Sequence, residues 1–416
     1  MRGGLRVLKS SAFRALRHRN FRLFFLGQLT SLVGSWMQSV AQGWLVLQLT
    51  NSAFALGLVG MFGYLPTLLF SFWGGAVADR NSKRRIVLTT QTVAACLAFA
   101  LGLLVVFDLV RIWHIVLLAF SLGTVMAFDL PARQSFFIEL VGREDLTSAI
   151  GLNSSIFNAA RLIGPGIAGL IIARFGVAIC FFLNSLSFLA VIAGLLRMKD
   201  AGAKEFSCRP VKGGFKDTLS FISGHREVLF VLLLVATFGI LVLPYQVMLP
   251  KFARDVLRIG PRGLGFLFAA NGLGALLGAI MVASKTGRSK NMLYLFSNAI
   301  LFAGFIFLFS LAGEFRYALI WLFLAGMTMV GFLTTANASL QLSVPDERRG
   351  RIMGLYSITF LGMMPVGSLL SGSMSHYMGV TGAVAVTTVL AGFIAALLGI
   401  TCAVFSRKKE TDAETL

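Results

Sequence analysis

From position 22 to position 404 the chain is a succession of apolar runs that charged residues scarcely enter. Residues 86–107, 177–196, 228–250 and 264–283 contain no Asp, Glu, Lys or Arg at all. About 20 apolar residues wound as a helix cover the roughly 30 Å of hydrocarbon in a bilayer. Inside lipid the backbone must satisfy its own hydrogen bonds, which leaves helices and closed barrels. The runs lack the two-residue alternation of a barrel strand, so an all-α integral membrane bundle is expected. A mean hydropathy of +0.83, with 57% hydrophobic and 13% charged residues, leaves no soluble alternative that could hide the apolar surface.

Reading the runs against their charged breaks places twelve spans, at 22–49, 53–78, 86–107, 112–131, 148–173, 177–196, 228–250, 264–283, 292–312, 317–342, 352–377 and 380–404. The stretch 199–216, with Gly202, Pro210, Gly213 and Gly214 among its bases, divides them six and six. The expected organisation is a six-helix half at 1–198, a cytoplasmic linker at 199–226 and a second half with a short tail at 227–416. An offset of 203 aligns Glu144, Gly151, Leu152, Ser154, Phe157 and Gly164 with Glu347, Gly354, Leu355, Ser357, Phe360 and Gly367. An even number of crossings per half makes these parallel repeats.

The net charge of +20 would suggest nucleic acid in a soluble protein. Here the bases sit between apolar runs and report topology and lipid headgroups instead. Lys and Arg collect at the N-terminus, at Arg80–Arg85, in the central linker and at Arg348–Arg351, which places both termini and the linker in the cytoplasm. Lys251, Arg254, Arg258 and Arg262 fall on the other side, as a short interfacial helix or as a lure for an anionic substrate. Cys96, Cys180, Cys208 and Cys402 show no disulfide or zinc spacing. No short apolar core with a cleavage site precedes the first run, so the first helix is expected to be its own insertion signal.

The densest break is Gly74-Gly75-Ala76-Val77-Ala78-Asp79-Arg80-Asn81-Ser82-Lys83-Arg84-Arg85. Its order, Gly75, three residues, Asp79 and then bases, resembles the loop between helices 2 and 3 of the major facilitator superfamily. Ser82 and Lys83 stand where the family favours Gly and Arg, and Lys offers a point charge rather than a planar fork. Gly164-Pro165-Gly166-Ile167-Ala168-Gly169, with Gly151 and Ala160, resembles the Gly-Pro motif of exporters in that superfamily. Blocks at Phe128–Gln134, Glu139–Leu146, Asn153–Gly169 and Val344–Arg351 are similar to the branch containing the enterobactin exporter and macrolide efflux proteins. The resemblance implies a cytoplasmic-membrane exporter of drug-like molecules or siderophores, often driven by proton exchange. It also implies that Asp79 approaches a second-half helix, and that Lys83 or Arg84 meets Asp129, with Arg133 one turn beyond.

Within the first run, Gln28, Ser31, Ser35, Gln38 and Gln42 fall on one helical stripe. A polar stripe does not face lipid; it serves either as a wall of the translocation cavity or as contact between helices. Arg161 lies near the bilayer midplane, one turn from Asn158, where the two would grip an anionic or acceptor-rich group or where the Arg would bond to its own scaffold. Asn337 and Tyr356 complete the expected cavity. The intramembrane acids, Asp129 and Glu139, lie towards the cytoplasmic face, so the sequence offers no central proton carrier. His114 and His376 are read as interfacial.

No Ser-His-acid set, phosphate loop or paired metal ligands appears, so neither an enzyme nor a cofactor is expected. The expected partners are a small-molecule substrate, protons and lipid, with the chain acting as a monomer. Three functions stay open at this point: an exporter, an importer of the same architecture, and a membrane scaffold or lipid-handling protein.

Overall fold

The computed structural model describes residues 13–198, 215–284 and 292–414. The linker residues 199–214, Cys208, Arg2, Arg6, Lys9, Lys285, Arg288 and Lys290 lie outside that set. Among the described residues the chain is helical, with no strand. The first six helices are α1 (Arg19–Thr50), α2 (Ala53–Arg80), α3 (Lys83–Val106), α4 (Ile112–Val141), α5 (Leu146–Phe175) and α6 (Ala178–Leu196). They are followed by α7 (Phe215–Gly224), α8 (Arg226–Leu241), α9 (Tyr245–Lys251), α10 (Gly260–Ser284), α11 (Met292–Ser310), α12 (Phe315–Ser343), α13 (Asp346–Leu361) and α14 (Met364–Glu414).

Ten stretches are long and apolar enough to cross a bilayer. One of them, Arg348–Phe405, is 58 residues long and breaks at Gly379, whose φ of 76° and ψ of 161° only glycine adopts readily; it makes two crossings. The 32-residue α1 is long enough to cross as well, its polar residues lowering its hydropathy. Together these give the twelve crossings that the apolar runs predict.

Three spans differ from the sequence reading, the eleventh because a turn at 362–363 separates α13 from α14 within it. The fourth span does not stop at Pro131: α4 continues to Val141, because Arg133 turns back to pair with Asp129 and Glu139 pairs with Lys83, so the charges that suggested a loop are accommodated. The seventh span is not one helix: a turn at 242–244 separates α8 from α9, and Phe252–Val256 forms a π-helical turn running on towards Arg258.

The chain forms two compact units. One comprises Met1–Ala55, Phe62–Ser207 and Ile259–Ala269; the other comprises Leu56–Met61, Cys208–Arg258 and Ala270–Leu416. In the first, α1 packs on α5 and α6, and α3 packs on α4 and α6. Phe21, Phe24, Phe136 and Phe137 pack edge to face in its core, and His18 meets Asp145 at 2.9 Å, tying the start of α1 to that of α5. In the second unit, α8 packs on α14, and α11 packs on α12 and α14. Shifting the first set by the 203-residue offset carries α1·α6, α3·α6 and α3·α4 onto α8·α14, α11·α14 and α11·α12.

The repeat also extends to close helix approaches. Gly123 and Gly326 are related by the offset, and a Cβ on either would strike a backbone carbonyl, that of Gly63 or that of Asn271. Gly164 and Gly367 behave alike, against Val33 and Trp36 in one unit and against Gly239, Ile240 and Pro244 in the other. Of the linker region, α7 is a helix whose Phe221 is buried, with the Arg348 guanidinium 4.9 Å from its ring and His225 stacked on it at 3.8 Å.

Candidate functional site

Arg161 lies 15 residues past the start of α5 and 14 before its end, so about 22 Å of helix extends on either side. Its side chain is buried at 8% exposure, with the guanidinium carbon 5.8 Å from the centre of the Trp36 ring. Trp36 is itself mid-helix in α1 and meets Phe157 of α5 edge to face at 5.9 Å. Tyr64, from the middle of α2, lies within electrostatic reach of Arg161. Side chains from α1 and α5 therefore meet at one spot, with Tyr64 of α2 near enough to feel its charge. Phe157 is 44% and Tyr64 36% exposed. A charge at mid-span costs about 2.5–3.5 kcal/mol on insertion scales. A cation over an aromatic face returns roughly 0.5–2 kcal/mol of this.

Local sequence explains the geometry. Gly164, one turn past Arg161, is where α5 touches α1: a Cβ there would lie 2.7 Å from the Trp36 Cβ and 2.8 Å from the Val33 carbonyl oxygen. Pro165 has no N–H to offer the Arg161 carbonyl four residues back, which loosens the helix beside the guanidinium. Asn158, one turn before Arg161, donates to the Ser154 carbonyl at 2.8 Å. Gly169 faces the Pro261 and Arg262 backbone, and Pro165, Ala160 and Ala168 are buried, whereas Gly151 has open space around it.

Nearer the Asp79 end of the bundle lies a buried ionic network. Asp129 is fully buried; its Oδ1 accepts from Thr90 at 2.7 Å and from Gln91 at 3.2 Å. Its Oδ2 lies 3.1 Å from Arg133 Nη2, in ionic contact though without good hydrogen-bond geometry. Arg133 Nη1 donates to Gln28 Oε1 at 2.7 Å, so the network links α1, α3 and α4. The stripe residue Gln38 likewise accepts from Asn184 of α6 at 2.6 Å. Ser35 bonds back to the Ser31 carbonyl at 2.9 Å, Ser31 is buried, and Gln42 is half-buried. The amides of Gln28 and Gln38 thus serve helix-to-helix contact within the first unit, the second of the two uses read for the stripe.

The bases of the loop motif choose other partners. Lys83 pairs with Glu139 at 3.2 Å, and Arg84 donates through Nη2 to the carbonyls of Leu195 (2.8 Å) and Met198 (3.2 Å) at the end of α6. Asp129 is served by Arg133. Asp79 and Arg80 are exposed at the end of α2. The glycine under steric constraint is Gly74, whose position presses on the Ala127 carbonyl, while Gly75 has free space. Ala127 is four residues before Pro131, so its carbonyl receives no helical N–H and is open to Cα–H contacts from α2.

In the second unit Tyr356 donates to the Leu333 carbonyl at 3.3 Å and hydrogen-bonds with Asn337, which accepts from Gln341 at 2.5 Å. These expected cavity residues do come together, along one side of α12. Trp36, Tyr64 and Phe157 do not stand out as candidates in the sequence, because an aromatic group in an apolar run reads as lipid-facing surface. The available signal was their placement at the depth of Arg161.

This arrangement, a helical membrane bundle of two repeated six-span sets with a polar cluster at mid-span, defines a multi-pass transporter fold. A bacterial homologue of the lysosomal transporter Spinster, solved inward-facing and unoccupied, superposes with a TM-score of 0.71 at 14% identity, covering 92% of this chain and 97% of that one. The nucleoside transporter NupG gives 0.69 at 14% identity, covering 92% and 97%. A family model described as transmembrane secretion effector matches residues 10–415, and the chain belongs to that family of the major facilitator superfamily. Its relatives include the Staphyloferrin A transporter of Staphylococcus aureus, 25% identical over 86% of this chain and 90% of the relative. The multidrug efflux pump Tap of Mycolicibacterium fortuitum is 26% identical over 94% and 96%. Macrolide efflux protein A of Streptococcus pyogenes is 21% identical over 95% and 99%.

Proposed function

We propose that this protein is a secondary active exporter that moves small molecules out across the cytoplasmic membrane by alternating access. In this reading the halves 1–198 and 227–416, joined by the linker 199–226, rock about a central site, and the chain acts as a monomer. Both termini lie in the cytoplasm, following the positive-inside bias of the loops. The observation that carries the proposal is the mid-span convergence of Arg161 with Trp36, Phe157 and Tyr64: a charged group that lipid disfavours, kept at the depth where facilitators bind substrate. The Gly164-Pro165 motif and relatives named as efflux pumps support export over import.

Asn337 and Tyr356 in the second half, and Gln42, Ser31 and Ser35 of the first helix, are proposed to contact the substrate as well. Asp79 acts as a latch that forms and breaks as the halves move, with Arg80, Lys83 and Arg84 anchoring its turn. The chain carries no phosphate-binding loop, so the energy source is an ion or solute gradient, and proton exchange is the proposed one. Export is tested by loading cells with labelled compounds. A strain lacking the protein should accumulate a compound that the wild type expels, whereas loss of uptake would establish import and unchanged flux of every solute would refute transport.

A further inference from the structure

We infer that the mid-span cluster selects flat, anionic molecules, with Arg161 taking a carboxylate or similar anion and the rings of Trp36, Phe157 and Tyr64 taking the apolar body. The inference rests on the transport reading and adds its substrate class. A guanidinium presents a planar fork that matches a carboxylate bidentately. Aromatic faces beside it offer area to a flat ring system, and the Trp36 ring lies 5.8 Å from the guanidinium carbon.

The distribution of acids argues against a cation at this place. The six spans of the first half contain three carboxylates in all, Asp79, Asp129 and Glu139. Asp129 and Glu139 pair with Arg133 and Lys83, and Asp79 lies at the far end of α2. Helices α1 and α5, which supply Trp36, Phe157 and Arg161, contain no acid at all. A cationic guest would have to draw on a carboxylate that is already paired, and the guanidinium itself would repel it, whereas it would attract an anionic one. Gly164 fixes the spacing: it lets α5 approach α1 closely enough to set the guanidinium over the indole.

The test uses the full chain in lipid nanodiscs and measures equilibrium binding of three isosteric probes: 2-naphthoate, neutral 2-naphthamide and cationic 2-naphthylmethylammonium. The naphthoate should bind about tenfold tighter than the amide, the gain typical of a hydrogen bond to a charged group, and the ammonium should bind weakest. Arg161→Gln should erase the difference between naphthoate and amide, Arg161→Lys should retain part of it, and Trp36→Leu should weaken all three alike. Equal binding of the three probes, an anion preference untouched by Arg161→Gln in folded protein, or no binding of the anion would each overturn the inference. Efflux of a mixed compound panel from proteoliposomes separates it from the reading it rests on. Transport without anion preference defeats the substrate class alone, and anion binding at Arg161 with no translocation defeats the exporter alone.

Discussion

Gly164 and Trp36 meet where α5 crosses α1, so closely that a methyl group on the glycine would lie 2.7 Å from the tryptophan Cβ. Gly164→Val should therefore force the helices apart, cost about 1–3 kcal/mol in overpacking and lower the unfolding temperature in detergent along with efflux. Gly151→Ala, with nothing within 4 Å of the added carbon, should be silent. Equal effects from the two would show that the Gly-Pro motif does not act through this approach.

Gly74 and Gly75 separate a spacing pattern from a packing need. Gly74 packs on the carbonyl that Pro131 leaves without a helical partner, and Gly75 faces open space. Gly74→Val should reduce folded yield and thermal stability sharply, while Gly75→Ala should retain both. A tolerant Gly74 would contradict the close contact between α2 and α4.

The Asp129–Arg133 pair predicts non-additive stability. Asp129→Asn strands a guanidinium that is 15% exposed, a loss of about 3–5 kcal/mol for a buried pair broken on one side. Combining it with Arg133→Gln should recover part of that loss, because no unpaired charge then remains. Thermal denaturation of the single and double variants checks this, and simple additivity would deny the pair its mutual dependence. Lys83→Ala, which breaks a pair at 23% and 26% exposure, should cost about 1 kcal/mol or less and lose its effect in salt.

How much of this was legible in the sequence depended on the kind of force involved. Hydropathy set the crossings, since lipid acts on every residue of a span and the average survives local detail. The offset relating Gly164 to Gly367 was visible as identity, and the structure gives both glycines the same packing task. Partner choice was not legible. Lys83 meets Glu139, and Gln28 meets Arg133, because of rotations about helix axes that the one-dimensional order does not encode. Pro131 reads as an end, yet α4 runs on to Val141, since tertiary contacts hold the charged turn in helical form. Arg161 stands out in the sequence as a candidate because charge is rare at that depth; its aromatic neighbours are hidden in a chain with 38 Phe.

Asp79, the residue proposed as the latch, stands exposed at the end of α2. Asp79→Asn should slow turnover several-fold while leaving substrate affinity near its wild-type value. Stopped-flow efflux beside equilibrium binding resolves the two quantities, and unchanged turnover would remove Asp79 from the switching step.

The most direct test of the account is efflux from proteoliposomes by Arg161→Ala protein at wild-type membrane abundance, across a panel of compounds and with an imposed pH gradient. The account predicts that transport is lost while the protein stays folded and inserted, and that Arg161→Lys restores part of it. Near-normal efflux by well-folded Arg161→Ala would contradict the mid-span cluster as the place where the exported molecule is held.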